Sequence, residues 1–351
     1  WNALPSIMAS LATGNPVIVK PHPGSVLPMA LIVRSCQEAC VRAGLPRESV
    51  LLAVDTPEEP LGKRLVRHPA TAIVDFTGSA AFGGWIERNA WPAIAFTETA
   101  GLNTVVIESC SDLDAVLRSL AMTMSLFSAQ MCTSPQNLYV PRAGVRVGTR
   151  RVPPEELIER LGASLAEIVR EPRRAASVLA TIQSPATLAL VDTMSSAGAD
   201  RGRIALASTS YRHPEFPNAR TRTPLLVEVP VEAGELYREE RFGPIAFAII
   251  VDDADEALAR AARDVREVGG LTAFVYSEDP DFLTRATDAY ANAGAQLTCN
   301  MTGPMPLNFA AAYSDYHVTG LNPAGNASLT DLAFVANRFR IAQYRMPAAQ
   351  Q

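Results

Sequence analysis

The chain has 351 residues, a hydrophobic content of 48% and a formal net charge of -5 at pH 7. This length and composition are typical of a globular protein with two domains. The acidic balance argues against a broad nucleic-acid or acidic-membrane surface, because either would require clustered Lys and Arg. No apolar run approaches the roughly 18 residues that a membrane-spanning helix requires.

Cysteine usage indicates a reducing compartment. The five cysteines are irregularly spaced and include no CxxC pair; they are Cys36, Cys40, Cys110, Cys132 and Cys299. No secretory apolar region is found at the start of the sequence. These features predict a cytoplasmic protein.

The first hundred residues alternate short apolar runs with a helical pattern. The apolar runs are residues 16–20, 50–54, 71–76 and 93–97. The helical pattern covers 25–43 and stops at Gly44 and Pro46. Strands and helices that alternate at this spacing indicate βαβ units and a doubly wound parallel sheet. We therefore expect part of a nucleotide-binding domain here.

A second α/β series follows. The pattern predicts strands at 103–109, 136–141, 246–251 and 271–276, with helices at 113–127 and 154–170. Residues 194–224 show little periodicity and are predicted to form a surface loop around one strand, 203–208. The periodicity fades after residue 300 into a long irregular segment, and such segments are often functional.

Six short motifs occur in a fixed order along the chain. They are Trp1-Asn2, VIVKP at 17–21, FTGSAAFG at 76–83, TETAG at 97–101, AQMC at 129–132 and EERFGP at 239–244. In this order the chain resembles the aldehyde dehydrogenase superfamily from residue 1 to about 335. Within it, the segments VIVKPHPGS and TETAGLN are most similar to the PaaN-type enzymes of phenylacetate degradation.

The resemblance implies a fold and a domain organisation. The expected class is α/β, with a Rossmann-type dinucleotide-binding domain and a second α/β catalytic domain. The expected boundaries are a partial dinucleotide-binding domain at 1–101, a catalytic domain at 102–305 and a C-terminal segment at 306–351. Because the sequence opens inside a family motif, we expect that an upstream portion is missing.

Cys132 is the candidate nucleophile. It lies between a helical run and the turn signal Thr-Ser-Pro, and such a loop allows the partial exposure that a reactive thiolate requires. The resemblance implies that Cys132 attacks an aldehyde carbon to form a thiohemiacetal. The alternative is a small buried cysteine without a chemical role, which is the expected role of Cys36 and Cys40 on their apolar helix face.

Two further residues complete the chemistry that the resemblance implies. Charge that develops on a carbonyl oxygen requires aimed donors, which Asn2 would supply together with the backbone N–H of Cys132. Glu98, at the end of an apolar strand, would activate the water that releases the acid; the alternative is a carboxylate paired with Arg. Many relatives carry Gly-Gly where this chain has Ala100-Gly101.

The dinucleotide site is expected at the carboxyl edge of the first sheet. Gly78 and Ser79 precede a helix whose N-terminus suits a pyrophosphate, although such a turn is also common as a plain helix cap. The resemblance places Lys20 against the adenosine ribose and Trp1 in the cofactor site. Pro23 stands where many NAD-preferring relatives carry Glu, so NADP is at least as suitable as NAD.

On the nicotinamide side, the resemblance implies that Glu240 holds the ribose and that Phe242 is its aromatic neighbour. Glu239 could be mistaken for that glutamate, but the pattern ExFGP selects Glu240. The segment AAYSDYHVTG replaces the usual Gly-rich entrance, so His317 is either a pocket residue or a surface residue. No metal is required.

The sequence therefore predicts NADP- or NAD-dependent oxidation of a small aldehyde, with no nucleic-acid or membrane partner. The resemblance suggests a homodimer or homotetramer, in which residues 340–346 would form an edge strand. A CoA-acylating dehydrogenase is the rival with the same fold, and Glu98 disfavours it. The second rival is a catalytically idle binding or scaffold protein.

Overall fold

The computed structural model describes residues 3–99, 101–303 and 335–340. Several predicted features lie outside these ranges, namely Trp1, Asn2, Ala100, His317 and most of the 340–346 segment. The described chain forms two compact units. The first unit contains residues 3–98 and 335–340, and the second contains residue 99 and residues 101–303. Within the described ranges, no helix is both long and apolar enough to cross a membrane.

The first unit begins with a βαβ arrangement. Its helices are α1 (Ala3–Ala12), α2 (Val26–Arg42), α3 (Gly62–Val66) and α4 (Ala80–Asn89). Its strands are β1 (Val17–Val19), β2 (Val50–Leu52), β3 (Ile73–Gly78) and β4 (Ile94–Thr99). Strand β1 pairs in parallel with β2, and β3 pairs with β4. The carboxyl ends of β1 and β2 therefore meet at one edge.

Apolar faces and one buried cation hold the first unit together. The helices α1 and α2 pack on the first strand pair through Ile7, Val33 and Cys40. Arg338 is fully buried, pairs with Asp75 and lies 4.3 Å from the Phe96 ring centroid. These contacts attach residues 335–340 to the rest of the unit.

In its described residues, the second unit contains a seven-stranded mixed sheet and a separate three-stranded sheet, together with seven α-helices. Its strands are β5 (Thr104–Ile107), β6 (Ser109–Cys110), β7 (Asn137–Pro141), β8 (Val145–Val147), β9 (Arg150–Val152), β10 (Arg203–Leu206), β11 (Leu225–Pro230), β12 (Ile245–Val251), β13 (Thr272–Tyr276) and β14 (Gln296–Cys299). Its helices are α5 (Leu113–Ser125), α6 (Pro154–Val169), α7 (Pro172–Val178), α8 (Pro185–Arg201), α9 (Gly234–Tyr237), α10 (Ala254–Val268) and α11 (Pro280–Ala293).

Seven strands form the main sheet in the order β10-β11-β12-β7-β5-β13-β14. All neighbours in it are parallel except β10, which runs antiparallel to β11. Strands β12, β7 and β5 are adjacent, with Thr104 opposite Asn137 and Asn137 opposite Phe247. The residues that immediately precede these three strands therefore meet at the amino edge of the sheet.

Two boundary predictions were wrong. Residues 194–201 are not loop but the last part of α8, because Met194 and Gly198 continue the buried face of Val191 against β11. Strand β3 does not end at Phe76 but continues to Gly78. The remaining strand and helix predictions agree with the structure to within a few residues at each end.

Candidate active site

The turn that carries Cys132 is approached by an unusual backbone. After α5, Phe127, Ser128 and Ala129 all have left-handed φ angles of 53°, 56° and 49°. Residues other than glycine adopt this conformation at an energetic cost, and it concentrates at functional sites. The Ser128 hydroxyl donates to the Ala180 carbonyl at 2.8 Å and so holds the segment in place. Cys132 follows in a turn and is half-buried, as a nucleophile requires.

Asn103 fixes this turn from the other side. Its side-chain nitrogen donates to the carbonyl oxygens of Cys132 at 2.6 Å and Ser134 at 3.0 Å. Its side-chain oxygen accepts from the backbone N–H groups of Leu271 and Thr272, each at 3.0 Å. The side chain is buried and makes four hydrogen bonds, so it ties the Cys132 turn to the start of β13.

Gln136 performs a similar task on the opposite side. Its side-chain oxygen accepts from the Arg241 N–H at 2.6 Å. Its side-chain nitrogen donates to the Glu239 and Tyr237 carbonyl oxygens at 3.1 and 3.2 Å. The amide therefore contacts the peptide groups on both sides of Glu240.

These residues line a cavity at the amino edge of the sheet. Its wall includes Asn103, Met131, Ser134, Gln136, Glu240 and Phe242. Met131 and Ser134 lie on either side of Cys132 in the chain, so the turn that carries Cys132 adjoins the wall that Glu240 and Phe242 help to form. Burial raises the pKa of Glu240 to about 7.

The geometry also separates the two adjacent glutamates. Glu239 has a side chain that is 73% exposed and pairs with Arg241 at 2.9 Å. Glu240 lines the cavity instead. The prediction that selected Glu240 over Glu239 is consistent with this arrangement.

Glu98 lies in the first unit, near the end of β4. Its side chain is fully buried, as predicted for a carboxylate at the end of an apolar strand. The hydroxyl group of the neighbouring Thr97 donates a hydrogen bond to the carboxylate of Glu87 in helix α4. A buried carboxylate at the end of a strand is suited to a role as a base.

Lys20 and Asp55 form an ion pair at the carboxyl edge of β1 and β2. The Lys20 Nζ lies 2.9 Å from the Asp55 carboxylate, and the Asp55 side chain is 3% exposed. The second Asp55 oxygen accepts from the Leu61 N–H at 2.9 Å. Burial works to raise the pKa of Asp55, but the hydrogen bonds from Lys20 and Leu61 and the charge of Lys20 hold it below its ordinary value.

Gly78 and Ser79 connect β3 to α4. Ser79 is the N-cap of α4, and its hydroxyl accepts from the Phe82 N–H. A Cβ on Gly78 would lie 2.6 Å from the Phe76 ring, so glycine suits the close approach there. Ser79 and Ala80 are exposed, which leaves the N-terminus of this helix accessible to an anion.

Within the units, the structure brings some predicted residues together. The turn that carries Cys132 adjoins Glu240 and Phe242 in the second unit, while Lys20 and Glu98 both lie in the first. Asn103, Gln136 and Asp55 were not predicted from the sequence. The available signal was position, because each is a polar residue at one end of a buried strand.

Comparisons with known proteins show the family to which the chain belongs. The sequence profile of the aldehyde dehydrogenase family matches residues 2–309. An NAD-dependent aldehyde dehydrogenase from Burkholderia multivorans is 41% identical with a TM-score of 0.92, over 100% of this chain and 62% of that chain. Aminoacetaldehyde dehydrogenase of Pseudomonas aeruginosa is 31% identical over 76% of this chain and 51% of its own length. Vanillin dehydrogenase of a Pseudomonas species is 25% identical over 87% of this chain and 60% of its own.

The chain belongs to the aldehyde dehydrogenase family. It spans between 51% and 60% of the length of the two curated relatives. Among the residues that the structure describes, no group of three or more His, Cys, Asp or Glu side chains is placed to hold a metal ion.

Proposed function

We propose that the protein oxidises an aldehyde to a carboxylic acid with NAD or NADP as the hydride acceptor. The observation that carries this proposal is the cavity wall, in which the Cys132 turn and Glu240 are held together by Asn103 and Gln136. A partly exposed cysteine in a fixed turn beside a dinucleotide ligand suits covalent catalysis of hydride transfer.

The chain's own residues would perform the following chemistry. The Cys132 thiolate adds to the aldehyde carbon, so a C–S bond forms and the carbonyl oxygen becomes negatively charged. Asn2 and the Cys132 N–H donate to that oxygen. The bound dinucleotide supplies the hydride acceptor, and loss of hydride from the carbon leaves a thioester on Cys132. Glu98 takes a proton from water, the water oxygen attacks the thioester, and the C–S bond breaks to release the acid.

Each unit, taken by itself, contains residues that suit one part of a dinucleotide. Ser79 and the exposed N-terminus of α4 offer backbone donors for a pyrophosphate. Lys20 and Asp55 would face the adenosine ribose, and Glu240 would accept from the nicotinamide ribose. The proposed roles of Lys20 and Glu240 come from the family resemblance. The charges of these two side chains and the exposed N-terminus of α4 support the proposal that a dinucleotide binds.

Two features bear on the choice between NAD and NADP. Pro23 removes a carboxylate that many NAD-preferring relatives carry, which favours NADP. Asp55 restores a negative charge at the same edge and neutralises Lys20, which disfavours a 2′-phosphate. We place NAD first because the lysine that would attract the phosphate already has a partner. The Burkholderia multivorans relative is also described as NAD-dependent.

The substrate proposal comes from the PaaN-type resemblance. It suggests an aldehyde that forms after ring opening in aromatic-acid catabolism, such as a CoA-linked semialdehyde. The CoA-acylating rival is disfavoured because position 98 carries a buried glutamate that can activate water. The idle-scaffold rival predicts neither dinucleotide binding nor turnover.

The test is the absorbance of reduced nicotinamide with the complete protein. NAD and NADP are each combined with aliphatic, aromatic and CoA-linked aldehydes, and Cys132→Ala is the control. We expect turnover that falls at least ~10³-fold in Cys132→Ala. In Asp55→Asn, which keeps the acceptor for Leu61, the ratio of NAD to NADP efficiency should fall at least ~10-fold.

Three results would count against these proposals. Turnover that survives Cys132→Ala would remove the nucleophile. Absence of both turnover and dinucleotide binding in the wild-type protein would support the scaffold. An unchanged NAD to NADP ratio in Asp55→Asn would remove Asp55 from cofactor selection.

A further inference from the structure

Glu240 lies in a stretch of irregular chain between α9 and β12. Irregular backbone does not by itself hold a side chain in a fixed position. If Glu240 binds a ribose, the peptide groups on either side of it must be held by other residues.

Gln136 makes those contacts. Its amide accepts from Arg241 N–H and donates to Glu239 C=O, the two peptide groups that border Glu240. The Gln136 side chain is 6% exposed. The amide makes both contacts at once, because its oxygen accepts from the Arg241 N–H while its nitrogen donates to the Glu239 carbonyl.

The backbone of Gln136 connects the same amide to the Cys132 side of the cavity. Gln136 N–H donates to Asn103 C=O at 3.0 Å, and Asn103 holds the Cys132 carbonyl at 2.6 Å. Gln136 C=O accepts from Phe247 N–H at 2.8 Å at the start of β12. Only three residues lie between Cys132 and Gln136 in the chain, so one short segment carries the proposed nucleophile and holds the proposed ribose ligand.

We propose that Gln136 is a positioning residue that sets Glu240 relative to Cys132 and thereby places the nicotinamide ribose. This role rests on the proposed function, since it concerns dinucleotide binding to the same cavity. A second anchor supports the same segment: Arg238 pairs with the buried Asp264 at 3.0 Å. That anchor lies two residues before Glu240 and does not contact its peptide groups.

The test compares Gln136→Met with wild type in the complete protein. Methionine keeps the length of the side chain and adds no charge. It removes the hydrogen bonds to Arg241 and Glu239 together with those to Tyr237 and Asn137. We expect the NAD dissociation constant, measured by calorimetry, to rise at least ~10-fold and kcat to fall at least ~10-fold. The rate at which iodoacetamide alkylates Cys132 should stay within about twofold of wild type, because Asn103 still holds that turn.

The matched control is Tyr290→Phe. It removes one buried hydrogen bond, between the Tyr290 and Thr104 hydroxyls at 2.8 Å, in the same unit, and neither of these residues is among those that line the cavity. It should lower the melting temperature while it leaves the NAD dissociation constant and kcat unchanged. If Gln136→Met changes only the melting temperature, as Tyr290→Phe does, Gln136 has a structural role alone and the inference is overturned.

A replacement variant and the behaviour of the wild-type protein separate failure of the Gln136 role from failure of the proposed function. If Gln136→Met does not fold, Gln136→Glu replaces it, since the carboxylate keeps the bond from Arg241 and loses the one to Glu239; the same ~10-fold loss of NAD affinity is expected. A wild-type protein that neither binds NAD nor oxidises aldehydes refutes the proposed function. A wild-type protein that does both, with a variant that matches it, refutes only the role of Gln136.

Discussion

At the scale of single residues, the raised pKa of Glu240 makes the free energy of unfolding depend on pH. Burial raises the pKa of Glu240 to about 7, whereas a glutamate in an unfolded chain has a pKa of about 4.3. The folded state therefore binds the proton more tightly. The stability that this contributes is fully present below pH ~4.3 and is lost as the pH rises through ~7.

Glu240→Gln should consequently stabilise the protein at pH 8 and leave it nearly unchanged at pH 4. We expect a gain of about 1–3 kcal/mol at the higher pH, because the variant no longer has to hold a partly buried charge. Denaturant unfolding at the two pH values measures it. An equal effect at both pH values would mean that Glu240 does not titrate between them.

Some of the proposed site residues can be predicted from the sequence, and others cannot. Cys132, Glu98 and Glu240 stand inside motifs that are local in the chain. Gln136 and Asn103 act through partners that are 103 and 169 residues away. Contacts of that separation depend on the order of strands in the sheet, which local patterns do not specify.

At the scale of elements, helix α8 is longer than the sequence pattern predicts, because its last part consists largely of small residues that were predicted to form a loop. Gly198 packs on β11, and a Cβ there would lie 2.7 Å from the Val227 side chain. Glycine, serine and alanine made residues 194–201 look irregular in sequence. Their small size is what allows the close approach of the helix to the sheet.

Two glycine-to-alanine variants in helix interiors should therefore have opposite effects. Gly198→Ala should destabilise the protein by about 1–3 kcal/mol because the methyl group overpacks against Val227. Gly162→Ala in α6 should stabilise by up to ~1 kcal/mol, because the new Cβ would lie at an ordinary 3.6 Å from the Ala205 carbonyl oxygen and alanine favours the helix.

Denaturant unfolding of the two variants beside wild type gives both values. Stabilisation by Gly198→Ala would show that helix propensity outweighs packing at that position. Destabilisation by Gly162→Ala would show that α6 packs more tightly than its contacts indicate.

At the scale of the whole molecule, alternating patterns predicted two α/β units but not their details. The antiparallel placement of β10 and the amino-edge location of the Cys132 cavity depend on strand order, which the alternation of elements leaves open. The parallel pair β1-β2 was predictable because a single helix connects the two strands. The boundaries at 101 and 305 and the homo-oligomer stay predictions.

The proposed chemistry requires that Cys132 forms a thioester and that Glu98 helps to hydrolyse it. Glu98→Gln in the complete protein removes the proposed base and keeps the size of the side chain, so acylation should proceed and hydrolysis should stop. Mixing it with NAD and an oxidisable aldehyde should release about one reduced nicotinamide per chain in a rapid burst.

Mass spectrometry of the peptide that contains Cys132 makes the most direct measurement. We expect an increase equal to the mass of the aldehyde less two hydrogen atoms, on Cys132 alone. A burst with the adduct on another residue, or steady turnover without any adduct in Glu98→Gln, would contradict it.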